Sequence, residues 1–371
     1  KAYAFFLRFD GAMRLQSQRC GFYRHISTLR LRHTQVLVRG GARTPLEPLE
    51  PESFWRSTLP NDTLLRRHSI LNPDGGARRK VRLESLWNQL TLRGMDESYA
   101  LGRRIETWIF EHSHKSEDEE ELLPTTVITS PDQRSTLTAR AVLRGLCASH
   151  RESDPMAIHL RSMRAALRVP GLEVDLEDGT SLATDVAMDL TELLALEPDA
   201  LEGASWPRLL DVAETASIFG LLPKGDLDKA WKACLAPAYS AAKVCGAGKH
   251  AGPLLRLTLE PAMWLRKRGG RANIGEKLRL VVLPGFSLLC WATALRLPRF
   301  AQLWPAPSAC FLVETLDDEE GGVFVRVWNP RNHLELRPTW HQDDGPIPLE
   351  RLLQELGLDE PIRGKTGSES T

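Results

Sequence analysis

Short apolar runs separated by amphipathic stretches mark the beginning and the end of this chain. Residues 34–39 and "TTVITS" (125–130) have the length and β-branched content of buried strands, and "KLRLVVL" (277–283) repeats the pattern. Two later runs, "ACFLVETL" and "GVFVRVWN", flank the turn sequence "DDEEGG" and predict a β-hairpin. The pattern therefore predicts strands near both ends of the chain.

Apolar residues at helical spacing predict helices between these strands. In the segment 91–113, the apolar positions fall on one face of a helix: Tyr99, Leu101, Ile105, Trp108 and Ile109. Residues 134–146 and 348–358 show shorter helical patterns. The loop after the first strand carries three prolines, which exclude a helix there.

The middle of the chain, from about residue 155 to 275, has helical patterns with no convincing strand between them. Strands on both sides of a helical middle predict an α/β fold, with a core sheet flanked by helices and an inserted, mainly helical cap. This interpretation divides the chain into a basic N-terminal extension (1–33), a discontinuous α/β core (34–154 and 276–360), a helical cap (155–275) and a polar tail (361–371).

Composition narrows the class of protein without indicating a function. Hydrophobic residues make up 42% of the chain, and Lys plus Arg equals Asp plus Glu at 48 each, so no net charge favours nucleic acid. The six cysteines form no CxxC pair, which argues against a zinc site or a disulfide framework. The longest uncharged run, 280–295, is shorter than the ~20 residues of a membrane-spanning helix and contains Pro284-Gly285. We therefore predict no transmembrane helix.

The N-terminal segment has a composition of its own. Residues 1–33 contain seven Lys or Arg residues, one acidic residue and two serines. This composition is typical of the end of an organellar transit peptide, or of a basic extension just after its cleavage site. A basic surface arm without targeting function explains it equally well, so both interpretations stay open.

The stretch "HTQVLVRGGARTPLEP" (33–48) is the first candidate for chemistry. Its apolar run ends in Arg39, followed by two glycines, Arg43 and Pro45. A strand leading into a basic, glycine-containing loop is typical of an anion-binding site, because guanidinium groups match phosphate oxygens. Arg134 follows the strand 125–130 in the same way, where a helix is predicted to begin.

These segments resemble the histidine acid phosphatases, a branch of the phosphoglycerate-mutase-like superfamily, and among them most the mitochondrial lysophosphatidic-acid phosphatase type. The family signature R-H-G-x-R-x-P follows the first strand and stands here as Arg39-Gly40-Gly41-Ala42-Arg43-Thr44-Pro45. Further motif positions match in the same order at Leu90, Thr91, Gly94, Leu101, Gly102 and Arg134, and Pro284 and Gly285 align with the histidine and aspartate of the family's last motif. The resemblance covers about residues 34–358 and implies the α/β histidine-phosphatase fold.

The resemblance also implies that the catalytic side chains are missing. In the family, the signature histidine attacks phosphorus, a second histidine and the arginines hold the phosphoryl oxygens, and an aspartate protonates the leaving oxygen. Here Gly40, Pro284 and Gly285 stand at the two histidines and the aspartate, and none of them can attack or transfer a proton. Losing a covalent nucleophile can cost on the order of 10⁶ in rate. We therefore expect a pseudophosphatase with no catalytic residue and no cofactor.

The candidate phosphate-binding residues are Arg39, Arg43 and Arg134, which match the three arginines of the family. They could still bind a phosphate or a lipid head group. Alternatively, they remain because they pair with nearby carboxylates and hold the loops in place. We favour this second, structural interpretation, because one phosphate ligand, the second histidine, is absent.

Other polar residues are weaker candidates. Asp132 lies near Arg134 and His33 precedes the first strand, but neither is expected to replace the nucleophile. His112 and His114 lie in an acidic run whose spacing is too loose to predict a metal site. The sequence "GAGKHAG" (246–252) has the wrong spacing for a phosphate-binding loop.

Three functional hypotheses follow. The preferred one is a catalytically inactive phosphatase fold that serves as a structural, accessory (supernumerary) subunit of a larger assembly, in particular a mitochondrial complex of the respiratory chain or an ATP synthase. Its expected partners are other protein subunits. The alternative is a pseudoenzyme that senses a phosphate or phospholipid, and the least favoured hypothesis is a residual phosphatase.

Overall fold

The computed structural model describes the greater part of the chain. The described residues are 29–67, 85–112, 126–130, 132–148, 159–162, 180–221, 227–247, 251–270, 274, 276–297, 304–330, 334–341, 343 and 345–358. The polar tail, nearly all of the N-terminal extension and most of the acidic run with His114 lie outside these residues, so the predictions made for them stay predictions.

The described residues form a sheet of eight strands with helices around it. The strands are β1 (Arg30–Arg39), β2 (Thr126–Thr129), β3 (His159–Ser162), β4 (Leu278–Leu283), β5 (Cys310–Asp317), β6 (Val323–Asn329), β7 (Leu334–Leu336) and β8 (Ile347–Pro348). The helices are α1 (Glu52–Ser57), α2 (Asp62–Arg67), α3 (Leu92–His112), α4 (Gln133–Leu146), α5 (Thr180–Leu193), α6 (Trp206–Phe219), α7 (Leu227–Ala247), α8 (Gly252–Lys267), α9 (Gly285–Ala294) and α10 (Leu349–Glu355).

The sheet is mixed, with strand order β3-β2-β4-β1-β5-β6-β7 and with β8 paired to β6. Strands β3, β2, β4 and β1 run parallel, whereas β5, β6, β7 and β8 continue the sheet in antiparallel pairs. The α/β class predicted from the sequence is confirmed. The hairpin predicted around "DDEEGG" is also confirmed, as β5 and β6.

Alternating side chains of the central strands enter two hydrophobic clusters on opposite faces of the sheet. Val36 and Val38 of β1 pack with α3 and α4, whereas Leu37 packs with residues of α7, α8, α9 and α10. Because both faces are covered, residues 36–38 of β1 and 280–283 of β4 are continuously apolar, as their sequences indicated. Helices α3 and α4 approach closely where Gly102 and Gly145 meet, since a Cβ atom on Gly102 would lie 2.0 Å from the carbonyl oxygen of Val142.

A third cluster forms the centre of the helical insertion. It joins α5, α6 and α7 to α1, with Trp55 completely buried at the contact. The predicted cap is therefore present as a helical layer with its own apolar centre. It is smaller than the segment 155–275, because α8 packs on the core sheet through Leu254 and Leu257.

Two boundaries differ from those predicted. Strand β1 begins at Arg30, inside the segment that was predicted as an N-terminal extension. The prediction of no strand between 155 and 275 is wrong, because β3 pairs in parallel with β2 at the end of the sheet path. The sequence "HLRS" lacks both apolar alternation and a long apolar run. Its pairing with β2 comes from tertiary context, which outweighs local propensity in strands.

The uncharged run 280–295 is divided between β4 and α9. Among the helices that the structure describes, none is long and apolar enough to cross a membrane. The five cysteines within the described ranges are buried free thiols: Cys147, Cys234, Cys245, Cys290 and Cys310.

Candidate functional site

The candidate site lies at the carboxyl edge of the parallel strands. β1 and β4 are neighbours, with Arg39 paired to Leu283, and the Gly40 amide donates to the Leu283 carbonyl oxygen at 3.1 Å. β2 lies on the other side of β4, and α4 with Arg134 begins just beyond it. Because parallel strands end at the same edge, the residues that follow them meet there. The structure thus brings together the predicted positions after β1, β2 and β4.

Backbone and side-chain hydrogen bonds fix the loop after β1. The Gly41 amide donates to Thr138 Oγ1 of α4 at 3.0 Å, and the Thr44 amide donates to the Gln89 carbonyl oxygen at 2.9 Å. The Thr91 hydroxyl donates to the Ala42 carbonyl oxygen at 2.9 Å. Two separate segments, α4 and the stretch around Gln89 and Thr91, therefore hold the loop that carries the signature-like residues.

Arg134 turns its guanidinium group toward this loop. Its Nε donates to the Gly41 carbonyl oxygen and its Nη2 to that of Gly40, both at 3.2 Å. A Cβ atom on Gly40 would lie 2.8 Å from Arg134 Nε. The guanidinium group thus occupies the space into which a side chain at position 40 would point.

Arg39 is the last residue of β1 and is only 3% exposed. Its Nη2 donates to Glu214 Oε2 at 2.6 Å, and its Nη1 contacts the Pro305 carbonyl oxygen. Its guanidinium carbon lies 5.4 Å from the centre of the Trp304 ring, and Trp304 Nε1 donates to Glu214 Oε1 at 3.0 Å. Arg39, Glu214 and Trp304 form the site triad.

Arg43 makes the second ion pair, between its Nη2 and Asp211 Oδ1. Asp211 also accepts a hydrogen bond from the Leu46 amide at 2.6 Å. Both acids belong to α6, which has Pro207 in its first turn and ends at Gly220, a left-handed residue with φ of 69°. Residues three apart share a helix face, so Asp211 and Glu214 reach the neighbouring arginines together. We call Arg39, Arg43 and Arg134 the arginine site, and Asp211 with Glu214 the α6 carboxylates.

Burial and charge shift the pKa values of these groups in different directions. Burial raises the pKa of Asp211 in spite of the nearby Arg43 guanidinium. Burial opposes the ionisation of Glu214 as well, but the charges of Arg39 and Arg43 and its hydrogen bonds hold its pKa below the usual range. Burial, together with the charges of Arg43 and Arg39, lowers the pKa of Arg134 to about 9. The charges of Arg43 and Arg39 thus act on Arg134 across the site.

Gly285 and Pro284 lie at the start of α9. Pro284 occupies the N-cap position without a side-chain capping bond, and Gly285 is the first helical residue. A Cβ atom on Gly285 would lie 2.5 Å from Arg39 Nε, so Arg39 occupies the space beside Gly285 as Arg134 does beside Gly40. Each arginine thus lies in the space that a side chain at the neighbouring glycine position would need.

The weaker candidates have other contacts. Asp132 caps α4, accepting a hydrogen bond from the Ser135 amide at 2.8 Å. His33 is buried in β1, 3.7 Å from Glu276, and six residues of strand separate it from Arg39, or roughly 20 Å. No group of three or more His, Cys, Asp or Glu side chains that could hold a metal ion occurs within the described ranges.

Sequence reasoning missed the α6 carboxylates and Trp304. A signal for the acids was present in "LLDVAETA", where Asp211 and Glu214 stand three apart amid residues of an apolar helix. Buried acids need a partner, so such a pair indicates a basic group on a neighbouring element. The sequence did not indicate which arginines would pair with Asp211 and Glu214.

Comparison with known proteins bears on the fold. No protein-family model matches the sequence, and no curated protein sequence matches it significantly. Among solved structures, the chain is similar to the Hafnia alvei phytase in complex with tartrate, with a TM-score of 0.58 and 14% identity over 90% of this chain and 98% of that one. The Citrobacter braakii phytase gives a TM-score of 0.55 and 15% identity over 89% and 97%.

A third structure, the phytase from D. castellii, has a TM-score of 0.51 and 13% identity over 89% of this chain and 79% of that one. At such low identity the similarity concerns the fold, and it spans nearly the whole chain. It agrees with the mixed sheet and the helices described above. The protein therefore has the fold of the histidine acid phosphatases.

Proposed function

We propose that this protein is a non-catalytic member of the histidine acid phosphatase type that acts as an accessory subunit of a larger assembly. The proposal rests on one observation above all. The side chains of Arg134 and Arg39 occupy the space beside Gly40 and Gly285, where the resemblance places the nucleophile and the acid.

The chemistry of the remaining groups supports this proposal. Gly40, Pro284 and Gly285 offer no nucleophile or proton donor, and the α6 carboxylates are paired with Arg43 and Arg39. Because the guanidinium groups stabilise the charge of Glu214, they reduce its ability to accept a proton. The contacts of Glu214 with Arg39 and Trp304 instead connect β1, α6 and the segment around Trp304.

The proposed location is a mitochondrial complex, such as a respiratory-chain complex or an ATP synthase. Its support is the basic composition of residues 1–33 together with the resemblance to the mitochondrial lysophosphatidic-acid phosphatase type. The function of a subunit without catalysis would reside in its surfaces.

Two measurements test the proposal. Purified protein should show no turnover of an aryl phosphate above the level of an Arg43→Ala variant, and the endogenous protein should migrate on a native gel far above 41.6 kDa with a fixed set of partners. Turnover that disappears in Arg43→Ala would show an enzyme. Migration as a monomer or small oligomer would contradict the subunit role.

A second candidate function is the binding of a phosphate or phospholipid without catalysis. One observation favours it: the arginine site has three guanidinium groups against the two α6 carboxylates, and the hydrogen bonds described for Arg134 go to carbonyl oxygens. Selective binding to the folded state raises the melting temperature. A panel with lysophosphatidic acid and inositol phosphates that produces no shift would exclude this function.

A further inference from the structure

Both α6 carboxylates approach the arginine site from the helical insertion, and each is held on two sides. Glu214 lies between Arg39, at 2.5 Å, and the Trp304 indole nitrogen, at 3.0 Å. Asp211 lies between Arg43 and the Leu46 amide. Asp211 and Glu214 are 4% and 6% exposed, so they are buried as deeply as the arginines that they contact.

We propose that the α6 carboxylates are a built-in anion that fills the arginine site, so that α6 is the partner which this site now binds. Carboxylate oxygens can take the position of phosphoryl oxygens, because both accept the parallel N–H donors of a guanidinium group. This inference rests on the proposed absence of catalysis. According to this inference, free oxyanions cannot enter the arginine site because the α6 carboxylates already occupy it.

The electrostatics of the site agree with an anion shared by the cluster. The charges of both Arg39 and Arg43 lower the pKa of Glu214, although the ion pair of Glu214 is with Arg39. The Glu214 charge in turn opposes the lowering of the pKa of Arg134. Glu214 therefore offsets the repulsion among all three guanidinium groups.

Occupation by the same chain has a consequence for free anions. A phosphate or sulfate ion can engage Arg39 and Arg43 only by displacing the α6 carboxylates, and their attachment to α6 gives them a high effective concentration. The arginine site of the wild type should therefore not bind inorganic phosphate. Removing the two negative charges while keeping the shape should convert it into an oxyanion site.

The experiment compares the full-length wild-type chain with Asp211→Asn/Glu214→Gln by thermal unfolding. Sodium phosphate and sodium chloride are added at equal ionic strength, so that general screening is the same. The double variant should melt below the wild type in chloride. Phosphate stabilises most folded proteins to some extent, and the wild type measures this general effect. Relative to chloride, phosphate should raise the melting temperature of the double variant by about 2–4 °C more than it raises that of the wild type.

The matched control is Glu314→Gln, which removes a buried carboxylate bound to Arg326 and Trp328 outside the site. It should show the same difference between the two salts as the wild type. If the double variant does not fold in chloride, Glu214→Gln alone is measured in its place. If that variant also fails, the refolding yield of the double variant is compared, and recovery in phosphate only is the expected result.

Three results would overturn the inference: a phosphate effect in the double variant no larger than in the wild type, a phosphate effect in the wild type larger than in Glu314→Gln, or equal failure to refold in both salts. These three results would leave the proposed absence of catalysis untouched. Turnover of an aryl phosphate by the wild type would instead overturn the proposed function, so the two failures can be told apart.

Discussion

Two arginine–glutamate–tryptophan clusters in this molecule have nearly the same geometry. In the site triad, Glu214 accepts from Arg39 at 2.6 Å and from Trp304 Nε1 at 3.0 Å. In the second cluster, the sheet triad, Glu314 accepts from Arg326 at 2.7 Å and from Trp328 Nε1 at 2.8 Å. Each guanidinium group also lies over its indole ring, at 5.4 Å and 5.0 Å.

The two triads differ in how the chain builds them. The sheet triad belongs to one hairpin, where Glu314 is directly opposite Arg326 and the partners are 12 and 14 residues away. In the site triad, the partners of Glu214 are 175 and 90 residues away, on β1 and near Pro305. The same set of contacts can therefore arise from strand register or from the assembly of distant segments, and only the second brings additional arginines close.

The largest expected difference is in stability after removal of the carboxylate charge. Glu214→Gln leaves Arg39, with a side chain 3% exposed, without a negative partner and should cost about 3–5 kcal/mol. Glu314→Gln should cost less, about 1–2 kcal/mol, because the Arg326 side chain is 23% exposed and can be hydrated. Urea unfolding of both variants measures the difference. Equal losses would show that the burial of the arginine partner does not determine the cost of removing the carboxylate charge.

A smaller effect is expected from a methyl group beside the site triad. Gly285 and Gly252 are the first residues of α9 and α8, but a Cβ atom would meet Arg39 at the first and nothing within 4 Å at the second. Gly285→Ala should cost about 1–3 kcal/mol, because Arg39 must shift away from Glu214. Gly252→Ala should be neutral or stabilise by up to about 1 kcal/mol. If Gly285→Ala is also neutral, the position of Arg39 does not depend on the absence of a side chain at residue 285.

The smallest effect is a difference in acid sensitivity between the α6 carboxylates. The pKa of Glu214 is lowered in the folded state, so its contribution to stability is complete above about pH 4.5 and is lost as the pH falls through its folded pKa. The pKa of Asp211 is raised, so its contribution is present below its unfolded pKa of about 3.8 and is lost as the pH rises.

Urea unfolding from pH 6 to pH 3 tests these signs. Glu214→Gln should lose less stability on acidification than the wild type, and Asp211→Asn should lose more. Identical slopes in the three proteins would mean that the two carboxylates do not titrate separately from the rest of the site.

The sequence predicted those parts of the fold in which local pattern and tertiary environment agree. Strands β1 and β4 have continuous apolar runs because both faces are covered, and α3 shows a clear apolar face. The pattern did not reveal β3, whose four residues pair with β2 without a strong strand propensity of their own. It also extended the cap over α8, because helical periodicity does not identify the surface on which a helix packs.

The arginine site was predictable through the family resemblance, which places Arg39, Gly40, Arg134 and Gly285 in one site. The structure agrees with this grouping because residues just after parallel strands meet at one edge of the sheet. The α6 carboxylates could not be predicted, because nothing in the 175 residues between Arg39 and Glu214 determines where α6 docks. Such contacts depend on the packing of a whole helical layer.

The long spacing of the site triad also has a kinetic meaning. Arg39, Glu214 and Trp304 come from the beginning, the middle and the last quarter of the chain, so the triad cannot close before most of the protein has been synthesised. Contacts between such distant positions require large loops to close and tend to form late in folding. An interaction that forms after the rate-limiting step mainly slows unfolding. The contacts of Arg39 with Glu214 and Trp304 would then set how long the folded state lasts.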